Sequence, residues 1–164
     1  MIQKKVCLLG ATGVGKTSLV KQFVEGIFSE KYLTSIGVKV DKKVVELASE
    51  KVQLMLWDIE GIDRYCGFQP KYLRGASAYI IVTDQTRSQS LIEGMEIHNQ
   101  CRNLTDVPAI LAINKSDLDV AWHWSEGELN GYSEQFEKCF TTSAKTGQQV
   151  NAMFEFLAEL LLKE

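Results

Sequence analysis

The residues with the clearest chemical potential lie near the amino terminus, where Gly10-Ala11-Thr12-Gly13-Val14-Gly15-Lys16-Thr17 follows an apolar run. The spacing G-x-x-x-x-G-K-T is that of a phosphate-binding loop between a strand and a helix. Glycines let backbone N–H groups converge on a phosphate, and the following helix adds the positive end of its dipole. Lys16 would reach the β- and γ-phosphates of a nucleoside triphosphate, and Thr17 would offer its hydroxyl to Mg²⁺. The predicted loop contacts are Gly13, Val14, Gly15, Lys16, Thr17 and Ser18.

Two later motifs indicate which base is bound. Asn114-Lys115-Ser116-Asp117 follows an apolar run at the C-terminal end of a predicted strand, the edge at which open α/β sheets bind ligands. The Asp117 carboxylate can accept from the N1–H and the exocyclic amine of guanine, whereas adenine presents an acceptor at N1 and has no such amine. After the next strand comes Ser143-Ala144-Lys145, and its Ala144 N–H can donate to guanine O6. The predicted ligand is therefore GTP or GDP, with base contacts from Asn114, Lys115, Asp117, Ser143, Ala144 and Lys145.

A third motif, Asp58-Ile59-Glu60-Gly61, closes the strand that ends in Trp57. D-x-x-G alone is more often a turn than a site, but its position after a strand that should lie beside the phosphate loop favours a site. Asp58 is placed to hold a water of Mg²⁺, and the Gly61 N–H to sense the γ-phosphate. We expect a magnesium site next to the phosphates.

Composition is that of one ordinary globular domain, residues 1–164. The chain is 45% hydrophobic and 24% charged, and its net charge of -3 argues against a dedicated nucleic-acid partner. Four widely spaced cysteines include no C-x-x-C pair, so neither a zinc site nor a disulfide framework is indicated. Free thiols and the absence of a signal-peptide pattern or a membrane-spanning run predict a cytoplasmic protein.

Hydrophobic periodicity predicts an α/β fold. Strands are expected near residues 2–9, 38–47, 51–58, 77–83, 109–114 and 138–142, and helices near 16–25, 88–104, 126–137 and 147–163. The short connection between the second and third strands requires an antiparallel pair, whereas helical segments separate the others. Thr146 and Gln149 are expected to form a capping box on the last helix. The predicted architecture is a six-stranded mostly parallel sheet with one antiparallel pair and helices on both faces.

Taken in this order over the whole chain, the motifs resemble those of the Ras superfamily of small GTPases, which implies that the α/β fold is a P-loop NTPase G domain. Ile36-Gly37-Val38 and Tyr72-Leu73-Arg74-Gly75-Ala76 are similar to phrases of the Rab branch. The resemblance implies a GTP-hydrolysing molecular switch with Mg²⁺, whose loops 32–37 and 58–72 respond to the γ-phosphate and are presented to protein effectors, exchange factors or activating factors. It also implies that Phe28 packs on the guanine, with core packing as the alternative, and that Tyr32 closes over the phosphates.

Two departures from the family pattern concern the reaction. Ile62 stands where the family has a glutamine that orients the attacking water, and an isoleucine can neither donate nor accept a hydrogen bond. We therefore expect very slow hydrolysis, with a GTP-binding interaction module of negligible activity as the alternative. Glu60 and Asp63 lie on either side of this position; we expect both to be solvated surface charges, although either could substitute for the glutamine if the loop turned it inward. Ser35 stands in place of the threonine that ligates Mg²⁺, although Thr34 could take over with a one-residue slip.

The resemblance assigns catalytic positions to Lys16, Gly61 and Ile62, and metal positions to Thr17, Ser35 and Asp58. The sequence ends within the final predicted helix and carries no prenylated tail, so we expect no encoded membrane anchor. A P-loop kinase for small molecules is a third interpretation. It would lack the expected lid, and it conflicts with the N-K-x-D motif.

Overall fold

A computed structural model describes residues 1–28, 37–60, 69–122 and 125–163. In chain order the elements are β1 (Ile2–Leu9), α1 (Lys16–Glu25), β2 (Gly37–Glu46), β3 (Lys51–Glu60), a 3₁₀ turn (Pro70–Leu73), β4 (Ala78–Asp84), α2 (Ser88–Arg102), β5 (Ala109–Asn114), α3 (Glu126–Ser133), β6 (Lys138–Thr141) and α4 (Val150–Leu162).

The strands form one six-stranded sheet in the order β2-β3-β1-β4-β5-β6. Only β2 and β3 pair antiparallel, joined by a short connection, and the other neighbours are parallel. All seven residues of β4 are buried, as expected for a central strand covered on both faces. The predicted fold class is confirmed.

Two apolar clusters, one on each face of the sheet, hold the layers together. The first packs α1 and α4 against alternate residues of the strands and includes a stacked pair, Phe23 and Phe154, with ring centroids 4.1 Å apart. The second packs α2 and α3 against the opposite set of strand residues, among them Tyr79 and Ile81. Helices on both faces leave the loops at the C-terminal edge of the sheet as the place for a site.

The predicted stripe of α4 is buried at Val150, Met153, Phe154, Leu157 and Leu161, with Leu160 partly buried. In the part of the chain that the structure describes, no helix combines the length and the apolar character needed to cross a membrane.

The ends of two helices differ from the prediction. α3 stops at Ser133 and not at 137, because the Glu137 N–H pairs with Ala109 O at 2.9 Å to lead the chain into β6. α4 begins at Val150, and the predicted capping box is wrong. Gln149 takes a left-handed conformation with φ of 57° and makes no side-chain cap, while the Thr146 hydroxyl accepts from the Gln148 N–H.

Candidate nucleotide-binding site

The loop between β1 and α1 depends on glycine at two positions. A Cβ on Gly10 would collide with the carbonyl oxygen of Val82 on the neighbouring strand β4. Gly15 has φ of 103°, and a Cβ there would collide with the Asn114 side chain. Because glycine has no side chain at either position, the loop can pass close to β4 and to Asn114 as it turns from the sheet into the helix.

The amino terminus of α1 faces the same space. Gly15 is its N-cap and makes no side-chain capping bond, so the first-turn N–H groups of Lys16, Thr17 and Ser18 are not capped by that residue. Uncapped N–H groups and the helix dipole together favour an anion at this position.

Lys16 is almost completely buried, with 1% of its surface exposed. Its ammonium donates to Gly10 O at 3.1 Å and to Ala11 O at 3.0 Å, and it lies 3.6 Å from Glu60 Oε2. Burial lowers the pKa of Lys16, while the nearby carboxylates of Glu60 and Asp58 act in the opposite direction. The loop carbonyls and Glu60 therefore orient a desolvated cation toward the centre of the loop.

Thr17 and Asp58 meet at the end of β3, where Asp58 lies beside Leu8 of the parallel strand β1. The Thr17 hydroxyl donates to Asp58 Oδ2 at 2.6 Å and is 3.3 Å from Glu60 Oε1. Burial raises the pKa of both carboxyl groups, partly offset by Thr17 and Lys16. We call Lys16, Thr17, Asp58 and Glu60 the phosphate end of the site.

Two carboxylate oxygens at the phosphate end, Asp58 Oδ1 and Glu60 Oε2, are buried without a hydrogen-bond partner among the described residues. Buried oxygens of this kind beside a hydroxyl are the hard donors that Mg²⁺ prefers. The residues present thus fit the predicted metal.

The base motif is attached directly to the phosphate loop. Asn114 at the end of β5 is 1% exposed, and its Nδ2 donates to Val14 O at 3.0 Å. Its Oδ1 accepts from the Thr142 hydroxyl at 3.2 Å and from the Ala144 N–H at 3.3 Å. One amide therefore joins three segments that are distant in the sequence.

Lys115 makes the second link. Its ammonium donates to Gly13 O at 3.0 Å and forms an ion pair with Asp84 Oδ2, also at 3.0 Å. Lys115 has a φ of 65°, a left-handed conformation that is uncommon for a residue with a side chain. The strained backbone and the two contacts fix the lysine along the loop.

Asp117 and Ser143 form the third link of this region, with Ser143 buried beneath Asp117. Asp117 is exposed, and its Oδ1 accepts from the Ser143 hydroxyl at 2.7 Å. A carboxylate has about four lone-pair sites, so this bond leaves capacity to accept from a base. Ala144 is buried, and Lys145 is exposed. We call Asn114, Lys115, Asp117, Ser143 and Ala144 the base end of the site.

The aromatic position predicted for the guanine face gives a mixed result. Phe28 is half-buried and packs against the core cluster that includes Ala144, which is compatible with both interpretations of this residue.

Six residues of the predicted switch loops lie outside the described residues: Tyr32, Thr34, Ser35, Gly61, Ile62 and Asp63.

Glu60 differs from the expectation. Its side chain is only 9% exposed, whereas the sequence interpretation placed it on the surface. The physical reason is the ammonium of Lys16, which attracts the carboxylate inward. An acidic residue between the aspartate and the glycine of D-x-x-G is the sequence signal that could have indicated this.

Asp84 and Arg87 were not predicted as site residues. Asp84 is 1% exposed and binds Lys115, the Thr86 N–H and hydroxyl, and Arg87 Nε at 3.1 Å. Against the effect of burial, the hydrogen bonds from Thr86 and Lys115 hold the pKa of Asp84 below its usual range. Arg87 Nη2 also donates to Thr12 O at 2.8 Å. The available signal was the position of Asp84 at the carboxyl end of β4.

Together, the doubly covered parallel sheet and the glycine loop joined to β5 define the class of P-loop nucleotide-binding α/β proteins. Residues 5–163 match the model of the Ras family, and the chain belongs to that family.

Its relatives include several Rab proteins. The chain is 34% identical to the Ras-related protein Rab-32C of Dictyostelium discoideum, with 99% of this chain and 75% of the relative aligned. It is 34% identical to Rab-22A of Mus musculus over 92% of this chain and 79% of the relative, and 34% identical to Rab5 of Nicotiana tabacum over 98% and 82%. The chain is thus a Rab-like, GTP-binding small GTPase of the switch type, a kind of protein that interacts with effectors.

Proposed function

We propose that this chain is a Mg²⁺-dependent switch that binds GDP and GTP at the joined phosphate and base ends and hydrolyses GTP very slowly. The observation that carries the proposal is the direct attachment of the base motif to the phosphate loop. Asn114 donates to Val14 O and Lys115 to Gly13 O. A purine held by the base end would therefore be fixed relative to phosphates held by the loop.

In this proposal each residue has one task. Lys16 and the N–H groups of residues 13–18 bind the phosphates and stabilise charge on the γ-phosphate during transfer to water. Asp117 accepts from the guanine, helped by Ser143, Ala144 and Lys145. Thr17 and Asp58 would hold Mg²⁺, which offsets phosphate charge when bound, and Ser35 is proposed as a further ligand from its family position. Tyr32 and Phe28 would close over the phosphates and the base.

Slow hydrolysis is inferred from side-chain chemistry at Ile62, since an aliphatic group cannot orient water. The Gly61 N–H would still contact the γ-phosphate. The competing proposal is a GTP-binding module with negligible hydrolysis, and it rests on the same residue.

Identity of the nucleotide is the first test. Mass spectrometry of the small molecule that co-purifies with the protein should find GDP or GTP. Calorimetry with excess Mg²⁺ should show binding of GDP at least about 1,000-fold tighter than that of ADP, since a polar site discriminates strongly against a base that leaves its groups unpaired. Equal affinity for ADP and GDP would refute the proposal.

Single-turnover hydrolysis separates the switch from the inactive module. Wild-type protein loaded with GTP should release phosphate measurably above the buffer rate. Ile62→Gln should raise that rate by at least about tenfold, equivalent to 1.4 kcal/mol of barrier. Release at the buffer rate by the wild type, even after addition of a cell lysate, would favour the module.

A further inference from the structure

Glu60 is a largely buried charged side chain at the phosphate end to which the proposed function gives no role. It is the last residue of β3, and its side chain is 9% exposed. Oε2 lies 3.6 Å from the Lys16 ammonium, and Oε1 lies 3.3 Å from the Thr17 hydroxyl. The carboxylate therefore lies against the two side chains that the proposed function assigns to phosphate and metal.

The position of Glu60 along the chain indicates which phosphate it would meet. It directly precedes Gly61, whose N–H is proposed to contact the γ-phosphate. The lysine of a phosphate loop reaches the β- and γ-phosphates, and the adjacent hydroxyl contacts the metal beside them. The β-phosphate would be bound by the backbone N–H groups at the start of α1. We therefore expect Glu60 to lie closer to a bound γ-phosphate than to the β-phosphate.

Charge makes joint occupancy unfavourable. Lys16 carries one positive charge, whereas Asp58 and Glu60 together can carry two negative charges around it. A γ-phosphate bound to Lys16 would bring further negative charge close to Asp58 and Glu60, in surroundings where screening by water is weak. Among the described residues, Glu60 Oε2 has the Lys16 ammonium beside it at 3.6 Å and no hydrogen-bond donor, so no other described group holds that oxygen away from the lysine.

We propose that the Glu60 carboxylate competes with the γ-phosphate for Lys16 and Thr17, so that the protein favours GDP over GTP. The proposal rests on the proposed function and adds a specificity-determining residue to it. GDP lacks the group that would replace Glu60, so it can bind while the Lys16–Glu60 pair persists. GTP can bind only when Glu60 leaves Lys16.

Competition is one of two roles that this geometry permits. If Glu60 instead joined Asp58 in binding the metal, its removal would weaken both nucleotides together. The 3.6 Å approach to the Lys16 ammonium favours competition, because Lys16 is the side chain that the proposed function assigns to the γ-phosphate.

The test compares the affinities of two nucleotides. GDP and a non-hydrolysable GTP analogue each displace a fluorescent GDP from the protein at a fixed excess of Mg²⁺. Glu60→Gln and Glu60→Ala should lower the ratio of the analogue Kd to the GDP Kd by at least about tenfold, mainly by tightening the analogue. Glu60→Asp, which keeps the charge on a shorter side chain, should lie between them and the wild type. Glu50→Gln, at an exposed acidic residue after β2, is the matched control and should leave the ratio unchanged.

Three other outcomes overturn the inference. An unchanged ratio of the two Kd values in both neutral variants would mean that Glu60 does not compete with the γ-phosphate for Lys16 and Thr17. Parallel weakening of both nucleotides would assign Glu60 to the metal. Failure of the wild type to bind either nucleotide would instead refute the proposed function, and the inference with it. Since the wild-type GDP affinity is measured first, this last failure is distinguishable from the other two. Glu60→Asp keeps the test available if a neutral variant does not fold.

Discussion

At the base end of the site the buried polar groups are matched, whereas at the phosphate end they are not. Both amide atoms of Asn114 have partners, and Lys115 is paired with Asp84 and a loop carbonyl. At the phosphate end, Asp58 Oδ1 and Glu60 Oε2 are buried with no hydrogen-bond partner among the described residues.

This difference indicates how the two ends would respond to a ligand. A matched network keeps its geometry, so the base end can receive a purine with little rearrangement. Two carboxylates sharing one ammonium form an arrangement that an added cation or anion will change. The phosphate end is therefore where binding would alter the structure, as a switch requires.

Asp117→Ala should have the largest effect, and it tests the base end directly. The variant would lose the two charge-assisted hydrogen bonds to guanine that the proposed function assigns to Asp117, each worth about 1.5–3 kcal/mol, so the GDP Kd should rise roughly 100- to 10,000-fold. The free energy of unfolding without nucleotide should fall by about 1–2 kcal/mol, because Asp117 is exposed but the buried Ser143 hydroxyl loses its acceptor. Calorimetry and urea unfolding measure both quantities. Asp119→Ala, at a nearby exposed carboxylate, is the control, and equal GDP affinity in the two variants would contradict the assignment.

Asn114→Ala tests whether the base end is a rigid junction. It would leave Val14 O, the Thr142 hydroxyl and the Ala144 N–H without their partner in a buried region. At about 1–3 kcal/mol for each unsatisfied group, the expected loss in the free energy of unfolding is roughly 4 kcal/mol. Urea denaturation of the nucleotide-free protein gives the value. Asn151→Ala, an exposed position in α4, should cost less than about 1 kcal/mol. Similar losses in the two variants would mean that the junction is not rigid.

The dependence of stability on pH extends the comparison of buried polar groups to one that lies outside the site, the imidazole of His98. His98 is 1% exposed, with Nδ1 2.9 Å from the Tyr79 hydroxyl and its ring 4.3 Å from that of Phe136. Burial, followed by repulsion from Arg102, lowers the pKa of His98 from 6.5 to about 4. Above pH 6.5 the imidazole is neutral in both the folded and the unfolded chain. Between pH 6.5 and 4 only the unfolded chain takes up the proton, so stability falls as the pH falls.

The loss assigned to His98 should reach about 3 kcal/mol near pH 4. His98→Gln keeps an acceptor for the Tyr79 hydroxyl without a titrating ring, so its stability should fall less over this range. The measurement is urea unfolding of both proteins at several pH values, with His123→Gln as the control for the other histidine. Identical pH profiles for the wild type and His98→Gln would assign the acid sensitivity to other groups.

The sequence was sufficient for the fold because the strong signals were local. Short β-rich apolar runs predicted six strands within a few residues, and a connection too short for a crossover predicted the antiparallel pair β2–β3. The ends of α3 and α4 were wrong by three or four residues. They are decided by contacts that local propensity does not contain, such as the Glu137 N–H pairing with Ala109 O.

The difference between local signals and contacts distant in the sequence also applies to the site. The motifs named candidate residues at the loop, at the end of β3 and after β5, because each motif is continuous in the sequence. Glu60, Asp84 and Arg87 take their roles from partners that are distant in the sequence, namely Lys16, Lys115 and the Thr12 carbonyl. A sequence pattern gives the charge of such a residue but not the direction in which its side chain points.

Arg87→Gln has the smallest expected effect and tests the boundary between the two ends. Arg87 holds the outside of the phosphate loop through Thr12 O, but its side chain is 45% exposed and solvent weakens its ion pair with Asp84. We expect a loss of about 1 kcal/mol in unfolding free energy and a GDP dissociation rate raised about three- to fivefold, measured by release of a fluorescent nucleotide. Arg74→Gln, at another exposed arginine, is the control. If Arg87→Gln reduced GTP hydrolysis far more than nucleotide affinity, the guanidinium would have to reach the reacting phosphates. Arg87 would then belong to the phosphate end, and the two ends could no longer be separated into a fixed part and an adjustable part.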